Sequence, residues 1–555
     1  MMNKNMVWAL GALVLGSLLS MPVMAAGEPL RPSGSTDSGV QLNMTRQQLE
    51  RQRVAQRMAE GWDKSKVEET APAEEKPEGA VRFVLKKVEI PKSEVLKTEE
   101  ISQIVKKYQG REVSLDDLYA LVGDINALYQ KKGFITCRAY LAPQTIHEGT
   151  VHIGLIEGKN GTLSMVGRNS TNESYIKDRL HIKEGDIQDM NRLNADLLRF
   201  NATNDAQLRI LLKSGEKTGT TDYVIAVKEP QKQIAGVFSD NAGSDTSGLY
   251  RVGAYWQDRD VMGNRDHFFL SGVRSEGMKA ISASYNTPVN TIGTRAGISY
   301  TTNSVNVVDG PFEDLGVKGH AYALTAYMVS PIITSEHMKS EWGIEYGHQR
   351  SKTDFGTKTP MRMHWTDDRI DSFLFYYDQL DFGRSSAFYQ KHGYRTGWYK
   401  NLYEDNSTFG KYELNMVYQK AYESGQDWTI RLDGQISSTN YLPSAEMFYL
   451  GGMYSVRGYK ESLIGGDGGF AASAEYSFPL EKSHRLKGYL FLDGGRVWGK
   501  SAYDDRNLVG AGFGLKSQIN DHISLNIALA FPLIRTINDQ EQGRTRIHFS
   551  LSSAF

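Results

Sequence analysis

The sequence has little cysteine, little net charge and no long apolar run beyond its N-terminus. Because Cys137 is the only cysteine in 555 residues, the fold cannot depend on an intramolecular disulfide. The 64 basic and 65 acidic side chains nearly cancel, which excludes a general polyanion-binding surface, so we expect no nucleic acid as a partner. No later segment reaches the ~18 consecutive apolar residues of a membrane helix.

Sequence motifs of catalysis are absent as well. The chain contains no HExxH, no paired CxxC and no phosphate-binding loop, and its 12 histidines are scattered. The segment 465–469, GGDGG, is glycine-rich, but no Lys-Ser or Lys-Thr follows it, so we interpret it as a flexible loop. Cys137 alternates with Ile135, Ala139 and Leu141 on one face of a predicted strand, which indicates a small core residue. We therefore predict no enzyme activity, no catalytic residues, no cofactor and no metal site.

Residues 1–26 have the composition of a secretory signal peptide. A single early lysine, Lys4, precedes an apolar stretch, and both Val23-Met24-Ala25 and Met24-Ala25-Ala26 fit a signal-peptidase site. A retained membrane anchor is the alternative, but it does not explain this small-residue end. The pattern predicts export from the cytoplasm.

Residues 27–80 combine a polar helix with an acidic linker. The segment 41–60 is rich in good helix formers, yet its apolar residues are sparse and arginines occupy positions 46, 51, 53 and 57. A helix that is polar nearly all round either bridges solvent or lies in a wet cavity. Prolines and clustered glutamates in 66–79 then indicate an extended linker.

Residues 81–229 contain an internal repeat of two α/β units, 81–158 and 159–229. The first unit opens with VRFVLKKVEI, which alternates like a strand, and its helical pattern stops at Gly133. FITCRAYL and TVHIGLIEG follow as two more strands. The second unit repeats the order β-α-α-β-β from GTLSMVG to TDYVIAVKEP. Two successive copies of one order predict two similar domains.

Residues 230–555 predict a transmembrane antiparallel β-barrel. Segments of about ten residues alternate apolar with polar or small residues, aromatic residues recur near their ends, and Asn, Gly, Asp and Ser clusters separate them. At about ten residues per span, about 16 strands fit. A soluble all-β domain is the alternative, but about 325 residues are many for one sandwich. The last segment also ends on an aromatic residue, Phe555.

One barrel segment, GYLFLDGGRVWG, has a charge at its centre. Leu490 and Leu492 share one strand face, whereas Phe491, Asp493 and Gly495 share the other. Charges that face lipid at mid-membrane cost ~2–4 kcal/mol for basic groups and less for acidic ones, so the leucines are expected to face lipid and Asp493 the lumen. Gly495 would leave room beside Asp493 for another backbone.

A predicted loop before this strand contains the tetrapeptide Val456-Arg457-Gly458-Tyr459. Together with the polar helix, the two repeats and the pattern Phe491-x-Asp493-x-Gly495, it resembles the two-partner secretion transporters of bacterial outer membranes, the TpsB or FhaC/ShlB-like family. The segment 239–243, SDNAG, resembles the opening barrel strands of that family. The resemblance covers almost the whole mature chain.

The resemblance implies how these parts are arranged. In the family the repeats are periplasmic POTRA domains, the polar helix plugs the pore and the VRGY loop folds back inside the barrel. Arg457 at the loop tip is then expected to pair with Asp493. Gly458 would allow a sharp turn, and Tyr459 would pack and hydrogen-bond against the wall. The implied location is the bacterial outer membrane, with lipid around the barrel and the POTRA domains in the periplasm.

The implied function is two-partner, or type Vb, secretion. A monomeric transporter would recognise the N-terminal secretion domain of a large secreted partner protein through its POTRA domains and export that protein through the pore. The cargo would be a haemolysin, an adhesin or a contact-dependent inhibition toxin. An insertase for outer-membrane protein assembly is one alternative, although such proteins usually have more repeats and no plug helix. A passive porin would leave the repeats unexplained, and a soluble secreted adhesin would not enter the membrane fraction.

Overall fold

The structure is a computed structural model that describes residues 34, 36–67, 82–310, 313–357, 363–403, 406–502 and 505–555. The predicted signal peptide and most of the predicted linker lie outside these residues. The first described helix, α1 (Ser38–Glu60), begins earlier than the predicted segment 41–60. The reason is a helix cap that composition does not reveal, since the Asp37 carboxylate accepts hydrogen bonds from the amides of Gly39 and Val40.

The first α/β unit is built on a small three-stranded sheet, in which β2 (Lys87–Glu89), β5 (Thr150–Glu157) and β4 (Cys137–Leu141) lie side by side in that order. The helix α3 (Leu115–Lys131) begins at a capping box, in which the side chains of Ser114 and Asp117 each accept a hydrogen bond from the other residue's backbone amide. The buried face of the helix packs on the sheet. Cys137 lies in this core, 4% exposed, and burial raises the pKa of its thiol to about 11. The elements are β1 (Phe83–Val84), β2 (Lys87–Glu89), α2 (Thr98–Val105), β3 (Glu112–Val113), α3 (Leu115–Lys131), β4 (Cys137–Leu141) and β5 (Thr150–Glu157).

The second α/β unit has the predicted order β-α-α-β-β around its own core. Its sheet has the order β6-β8-β7, and Leu193, Leu197 and Phe200 of α5 are almost wholly buried against it. The elements are β6 (Lys159–Val166), α4 (Glu173–Leu180), α5 (Met190–Thr203), β7 (Gln207–Ser214) and β8 (Thr220–Lys228). Each unit therefore has a hydrophobic core of its own.

Sixteen antiparallel strands close into a barrel, which confirms the predicted fold. The last strand pairs with the first over five residue pairs, from Ser550↔Asp240 to Ala554↔Gly236. The strands are β9 (Gln233–Asp240), β10 (Arg251–Asp258), β11 (His267–Arg274), β12 (Met278–Pro288), β13 (Arg295–Asn306), β14 (Lys318–Thr334), β15 (Met338–Phe355), β16 (Met363–Phe382), β17 (Ser386–Lys400), β18 (Asn406–Ala421), β19 (Asp427–Ser437), β22 (Gly468–Pro479), β23 (Leu486–Trp498), β24 (Asn507–Gln518), β25 (Ile523–Pro532) and β28 (Arg546–Ala554).

The segment between β19 and β22 runs inside the barrel instead of over its rim. It contains a short 3₁₀ turn (Ser444–Glu446) and the strand pair β20 (Phe448–Leu450) and β21 (Ile464–Gly466). Between β25 and β28, β26 (Thr536–Ile537) and β27 (Gln540–Glu541) form a small hairpin. Among the helices of the described ranges, none is both long and apolar enough to cross a membrane.

α1 lies inside the barrel and runs along the barrel axis from one end to the other. Near its start, the Ser38 carbonyl accepts a hydrogen bond from Asn303 of β13. Just past its end, the Trp62 indole donates to the Ser335 carbonyl in the turn after β14. The helix therefore fills the lumen and leaves it at the end that bears the α/β units.

The second α/β unit docks onto the barrel through a buried arginine. Arg265, in the turn between β10 and β11, has a fully buried side chain. Its Nε donates to the Asp205 carboxylate at 2.8 Å, and its Nη1 lies 3.3 Å from the Asp260 carboxylate. A second contact joins α4 to the turn after β12, where Arg179 donates to the Asn290 carbonyl at 2.8 Å. These contacts fix the second unit on the barrel.

Candidate functional site

The structure brings the two charged residues of the predicted motifs together. Nε of Arg457 donates to Oδ2 of Asp493 at 2.7 Å, and Nη2 donates to Oδ1 at 2.9 Å. The backbone amide of Arg457 also donates to Oδ2, at 3.1 Å. The Asp493 side chain is 1% exposed and that of Arg457 is 12% exposed. A bidentate, charge-assisted pair with so little water access is among the stronger polar contacts that proteins make.

Further wall residues complete the arginine's surroundings. Nη1 of Arg457 donates to Glu475 of β22 at 2.9 Å, and its guanidinium lies 3.5 Å from the ring centroid of Phe491. Ser473 donates to Oδ1 of Asp493 at 2.7 Å. The sequence reasoning missed Glu475 and Ser473. The alternation of residues on β22 is enough to predict that both side chains face the lumen. The sequence does not show the register with β23 that sets Glu475 opposite Phe491 and Ser473 opposite Asp493.

Gly458 and Tyr459 anchor the loop beside Arg457. Gly458 has φ +99°, which favours glycine, and a Cβ there would stand 2.9 Å from the backbone nitrogen of Pro532 on β25. The Tyr459 side chain is 1% exposed, and its hydroxyl lies 2.8 Å from the Val509 carbonyl and 3.0 Å from the Ile534 carbonyl. The amide of Ile534 donates back to this hydroxyl at 3.1 Å. Val456 is fully buried in the small apolar cluster beneath the loop.

Glycines in the wall let the loop backbone come close. A Cβ on Gly510 of β24 would collide with the carbonyl oxygen of Arg457, so this glycine admits the loop tip. The sequence analysis expected Gly495 to leave room for another backbone, without naming that backbone. A Cβ on Gly495 would meet the backbone carbonyl of Phe470 on the neighbouring strand at 2.6 Å and the Leu450 side chain at 2.8 Å. Gly495 thus admits a side chain at the base of the loop.

The glycine-rich segment 465–469 is also different from its interpretation as a flexible loop. All five residues are buried. Gly466 closes the pair of β20 and β21, and a Cβ on it would stand 2.6 Å from the Trp498 carbonyl. A Cβ on Gly468 or Gly469 would collide with Trp498 or Phe448. These glycines are required by close packing, which composition alone cannot distinguish from flexibility.

α1 is held in the lumen by ion pairs spread along its length. Arg46 contacts Glu345 at 3.2 Å and Arg51 contacts Asp433 at 2.9 Å. Other pairs join Arg57 to Glu341 at 2.7 Å and to Asp378 at 3.3 Å, and Glu50 to Lys391 at 3.1 Å. The arginines of the polar helix, which the residues alone left between solvent and a wet cavity, therefore face a charged lumen wall.

Helix and loop also contact each other. Gln48 donates to the Tyr454 hydroxyl at 3.0 Å, and Arg51 donates to the Tyr454 carbonyl. Cavities of about 350 Å³ and 310 Å³ remain in the lumen, the first against α1 and the second, with a mostly polar lining, beside Arg457. In the described ranges, no group of three or more His, Cys, Asp and Glu side chains is arranged to hold a metal ion.

Comparisons with known proteins agree with this architecture. Residues 219–517 match the family described as haemolysin secretion/activation protein ShlB/FhaC/HecB, and residues 83–158 match the POTRA domain of ShlB type. The heme/hemopexin transporter protein HuxB of Haemophilus influenzae is 24% identical over 556 residues, 96% of each chain. The solved structure of CdiB from Escherichia coli has TM-score 0.68 at 18% identity and covers 96% of this chain and all of that one, which shows a shared fold. The outer membrane protein assembly factor BamA of Neisseria meningitidis is 25% identical over 241 residues, 34% of this chain and 30% of that protein.

Proposed function

The chain belongs to the haemolysin secretion/activation protein family ShlB/FhaC/HecB, and we propose that it recognises one large partner exoprotein in the periplasm and secretes that protein through its barrel. It is an outer-membrane transporter with periplasmic POTRA domains, and its family exports partner exoproteins by two-partner secretion. In sequence, the assembly factor BamA of Neisseria meningitidis matches only a third of the chain. We propose the domain limits 27–80 for plug and linker, 81–158 and 159–229 for the POTRA domains, and 230–555 for the barrel.

The observation that carries the proposal is the way the lumen is closed. Two segments of the same chain, α1 and the loop with Arg457, occupy the barrel lumen, and α1 is joined to the wall by ion pairs whose arginines keep access to water. Polar contacts in a wet lumen can be exchanged for water at low net cost, whereas a packed apolar core cannot. A closure of this kind suits a pore that opens for a passing chain. A helix about 10 Å across would otherwise compete with that chain for the same space.

We propose that the POTRA domains capture the cargo along their free strand edges. The two sheets have the orders β2-β5-β4 and β6-β8-β7, so β4 and β7 are edge strands. An extended segment can add to such an edge by β-augmentation, in which backbone hydrogen bonds supply affinity and side-chain pockets supply specificity. Barrel and POTRA domains then act as one monomeric transporter surrounded by outer-membrane lipid, without catalysis.

Co-expression with the secreted partner tests the proposal. Wild type is expected to release the partner into the medium, and Arg457→Ala is expected to keep the folded, heat-modifiable barrel in the outer membrane but to stop release. Arg485→Ala removes an exposed arginine of the β22–β23 turn and serves as the matched control. Normal release by Arg457→Ala would contradict the role of the loop. If deleting both POTRA domains left release intact, the capture step would be wrong.

A further inference from the structure

The outward face of β14–β17 has an apolar band over the part nearer the α/β units. Outward positions on these strands alternate with buried, lumen-facing ones, and large hydrophobic side chains occupy them. Leu324, Trp342, Phe375 and Tyr394 are each more than one third exposed there. Side chains of this kind on the outside of a membrane barrel face the lipid hydrocarbon.

A row of aromatic rings marks the extracellular limit of this band. The rings of Tyr346 and Phe373 lie 5.2 Å apart, and those of Phe373 and Trp398 lie 6.3 Å apart. The opposite ends of these strands point to the periplasm, because the turn between β14 and β15 contacts the segment that leads to the POTRA domains, through Lys66 and Glu336 at 3.1 Å. The aromatic row therefore belongs to the outer interface.

Directly beyond the aromatic row, the outward positions become cationic. Arg350 of β15 stands opposite Arg369 of β16, and Arg369 stands opposite Lys400 of β17. Lys352 lies on the same face, two residues further along β15. Like charges at directly opposed positions destabilise a sheet. Three cations in one row thus call for a source of negative charge.

The protein supplies little of that charge. Asp367 accepts two hydrogen bonds from Arg350, both at 2.9 Å. Asp371 accepts from the Tyr346 hydroxyl at 2.7 Å and lies 2.9 Å from a ring nitrogen of His348. Within the described residues, the side chains of Arg369, Lys400 and Lys352 form neither a hydrogen bond nor an ion pair. Asp367, which already accepts from Arg350, also stands directly opposite Lys352, so the four cations of this face share the carboxylates of Asp367 and Asp371.

Their height on the barrel places these cations at the lipid head groups. Met338 and His348 are ten residues apart on β15. At ~3.4 Å per residue and a tilt of about 45°, they differ in height across the membrane by about 24 Å, close to the ~25 Å apolar band of an outer-membrane barrel. Arg350 is the next outward residue above His348. The row consequently lies where the acyl chains end, below the bulk solution.

Strands β18, β19, β22 and β23 lack such a row. At the extracellular ends of β18, β19, β22 and β23 the outward residues are Asn406, Ile436, Phe470 and Arg496. A single cation stands there among polar and apolar neighbours. Elsewhere on the rim, Arg274 of β11 stands opposite Lys279 of β12 on the outward face, so the row on β15–β17 is distinguished by its greater number of adjacent cations.

We propose that the outward row Arg350, Arg369 and Lys400, together with Lys352, binds the phosphate groups of a phosphorylated glycolipid of the outer leaflet, of the lipopolysaccharide kind. Guanidinium groups match phosphate in a bidentate way, and lysines add point charge. Basic residues at the membrane surface attract anionic head groups in the same manner. The site lies on the outside of the wall and is separate from the pore.

Lipid retention tests the site. The triple variant Arg369→Gln, Lys400→Gln and Lys352→Gln and the wild-type protein would each be reconstituted in nanodiscs doped with bisphosphorylated lipid A, with dephosphorylated lipid A or with phosphatidylglycerol. Native mass spectrometry after release then counts bound lipid. Wild type is expected to retain bisphosphorylated lipid A at least threefold more than the triple variant does, and at least threefold more than it retains either other lipid.

A control variant of equal charge change makes the test specific. Arg496→Gln, Lys500→Gln and Lys482→Gln remove three cations from the other half of the barrel and are expected to leave retention unchanged. Both triple variants must show heat-modifiable mobility, which reports a folded barrel. Equal retention by wild type and the first variant would overturn the proposal, and so would an equal loss in the control. If phosphatidylglycerol binds wild type as well as lipid A does, the phosphorylated-glycolipid site is wrong.

Discussion

α1 and the infolded loop both occupy the lumen, but they are attached in different ways. The loop concentrates its polar contacts on Arg457, whose partners Asp493 and Glu475 are 1% and 13% exposed. α1 spreads its contacts over several arginines whose side chains keep more water, with Arg46 27% and Arg57 32% exposed. One attachment is compact and nearly dry. The other is dispersed, and its arginines are about one quarter to one third exposed, although the partners of Arg57, Glu341 and Asp378, are buried.

The difference determines which segment can leave. Breaking a buried ion pair by removing one partner costs ~3–5 kcal/mol because it strands the other charge. A water-exposed pair contributes only ~0–1 kcal/mol, since water replaces the lost partner. α1 is therefore the segment that we expect to leave the pore, and the loop is the one that we expect to stay docked while a protein passes.

Asp493→Ala should have the largest effect on this contrast. It removes one of the two carboxylates that contact the Arg457 guanidinium and leaves Glu475, so we expect the loop to undock at a cost of ~3–5 kcal/mol. Undocking can be measured by the rate at which a maleimide labels a cysteine introduced at Ser455, which should rise severalfold, with release of the partner protein lost. Arg485→Ala, at an exposed pair with Asp521, should change neither quantity. An unchanged labelling rate in Asp493→Ala would remove the distinction between the two attachments.

The sequence predicted this part of the site because strand periodicity and motif agree. Alternation placed Asp493 on the face opposite Leu490 and Leu492, and both leucines are more than half exposed outside the barrel. The family resemblance then supplied Arg457 as the partner. Inward or outward direction is a local property of a strand with period two, so a single sequence suffices to predict it.

The remainder of the site depends on register and packing, which are not local. Glu475 lies in a strand that pairs with β23, and its approach to Arg457 depends on where the turn between those strands sets the register. Gly510 was not identified for the same reason, because the sequence does not show which lumen-facing glycine lies beneath the loop tip. Composition likewise predicted flexibility at 465–469, where the structure has close packing.

Gly510→Ala should have the second largest effect. The new methyl group would collide with the Arg457 carbonyl, and overpacking of this kind costs ~1–3 kcal/mol. We expect the loop to be displaced while the ion-pair residues remain, with labelling at Ser455 and release of the partner changed in the same direction as in Asp493→Ala. Gly494→Ala is the matched control, because its methyl group would lie 3.8 Å from the nearest atom, the Leu508 carbonyl. Similar behaviour of the two alanine variants would show that the wall glycine does not admit the loop.

Tyr459→Phe should weaken the same docking without altering any charge. The hydroxyl lies between the carbonyls of Val509 and Ile534, and its loss leaves buried backbone groups unsatisfied, at ~1–3 kcal/mol. The barrel itself should keep its thermal unfolding temperature within a few degrees. Labelling of a cysteine at Ser455 should rise, but less than in Asp493→Ala. A loss of barrel stability with unchanged labelling would move Tyr459 from loop docking to wall packing.

The smallest expected effect concerns α1. Arg46→Gln removes a half-wet pair with Glu345, which is worth ~0–1 kcal/mol, so full-conductance openings in planar bilayers should become up to about fivefold more frequent. Raising the salt from 0.1 M to 1 M shortens the Debye length from ~10 Å to ~3 Å, and should raise the opening frequency of wild type more than that of the variant. Arg53→Gln, which loses a 3.4 Å hydrogen bond to Ser284, is the control on the same helix and should leave the frequency unchanged. High salt could raise the opening frequency and the rate of maleimide labelling at Ser455 by the same factor. Helix and loop would then leave together, and the difference in their attachment would have no role in gating.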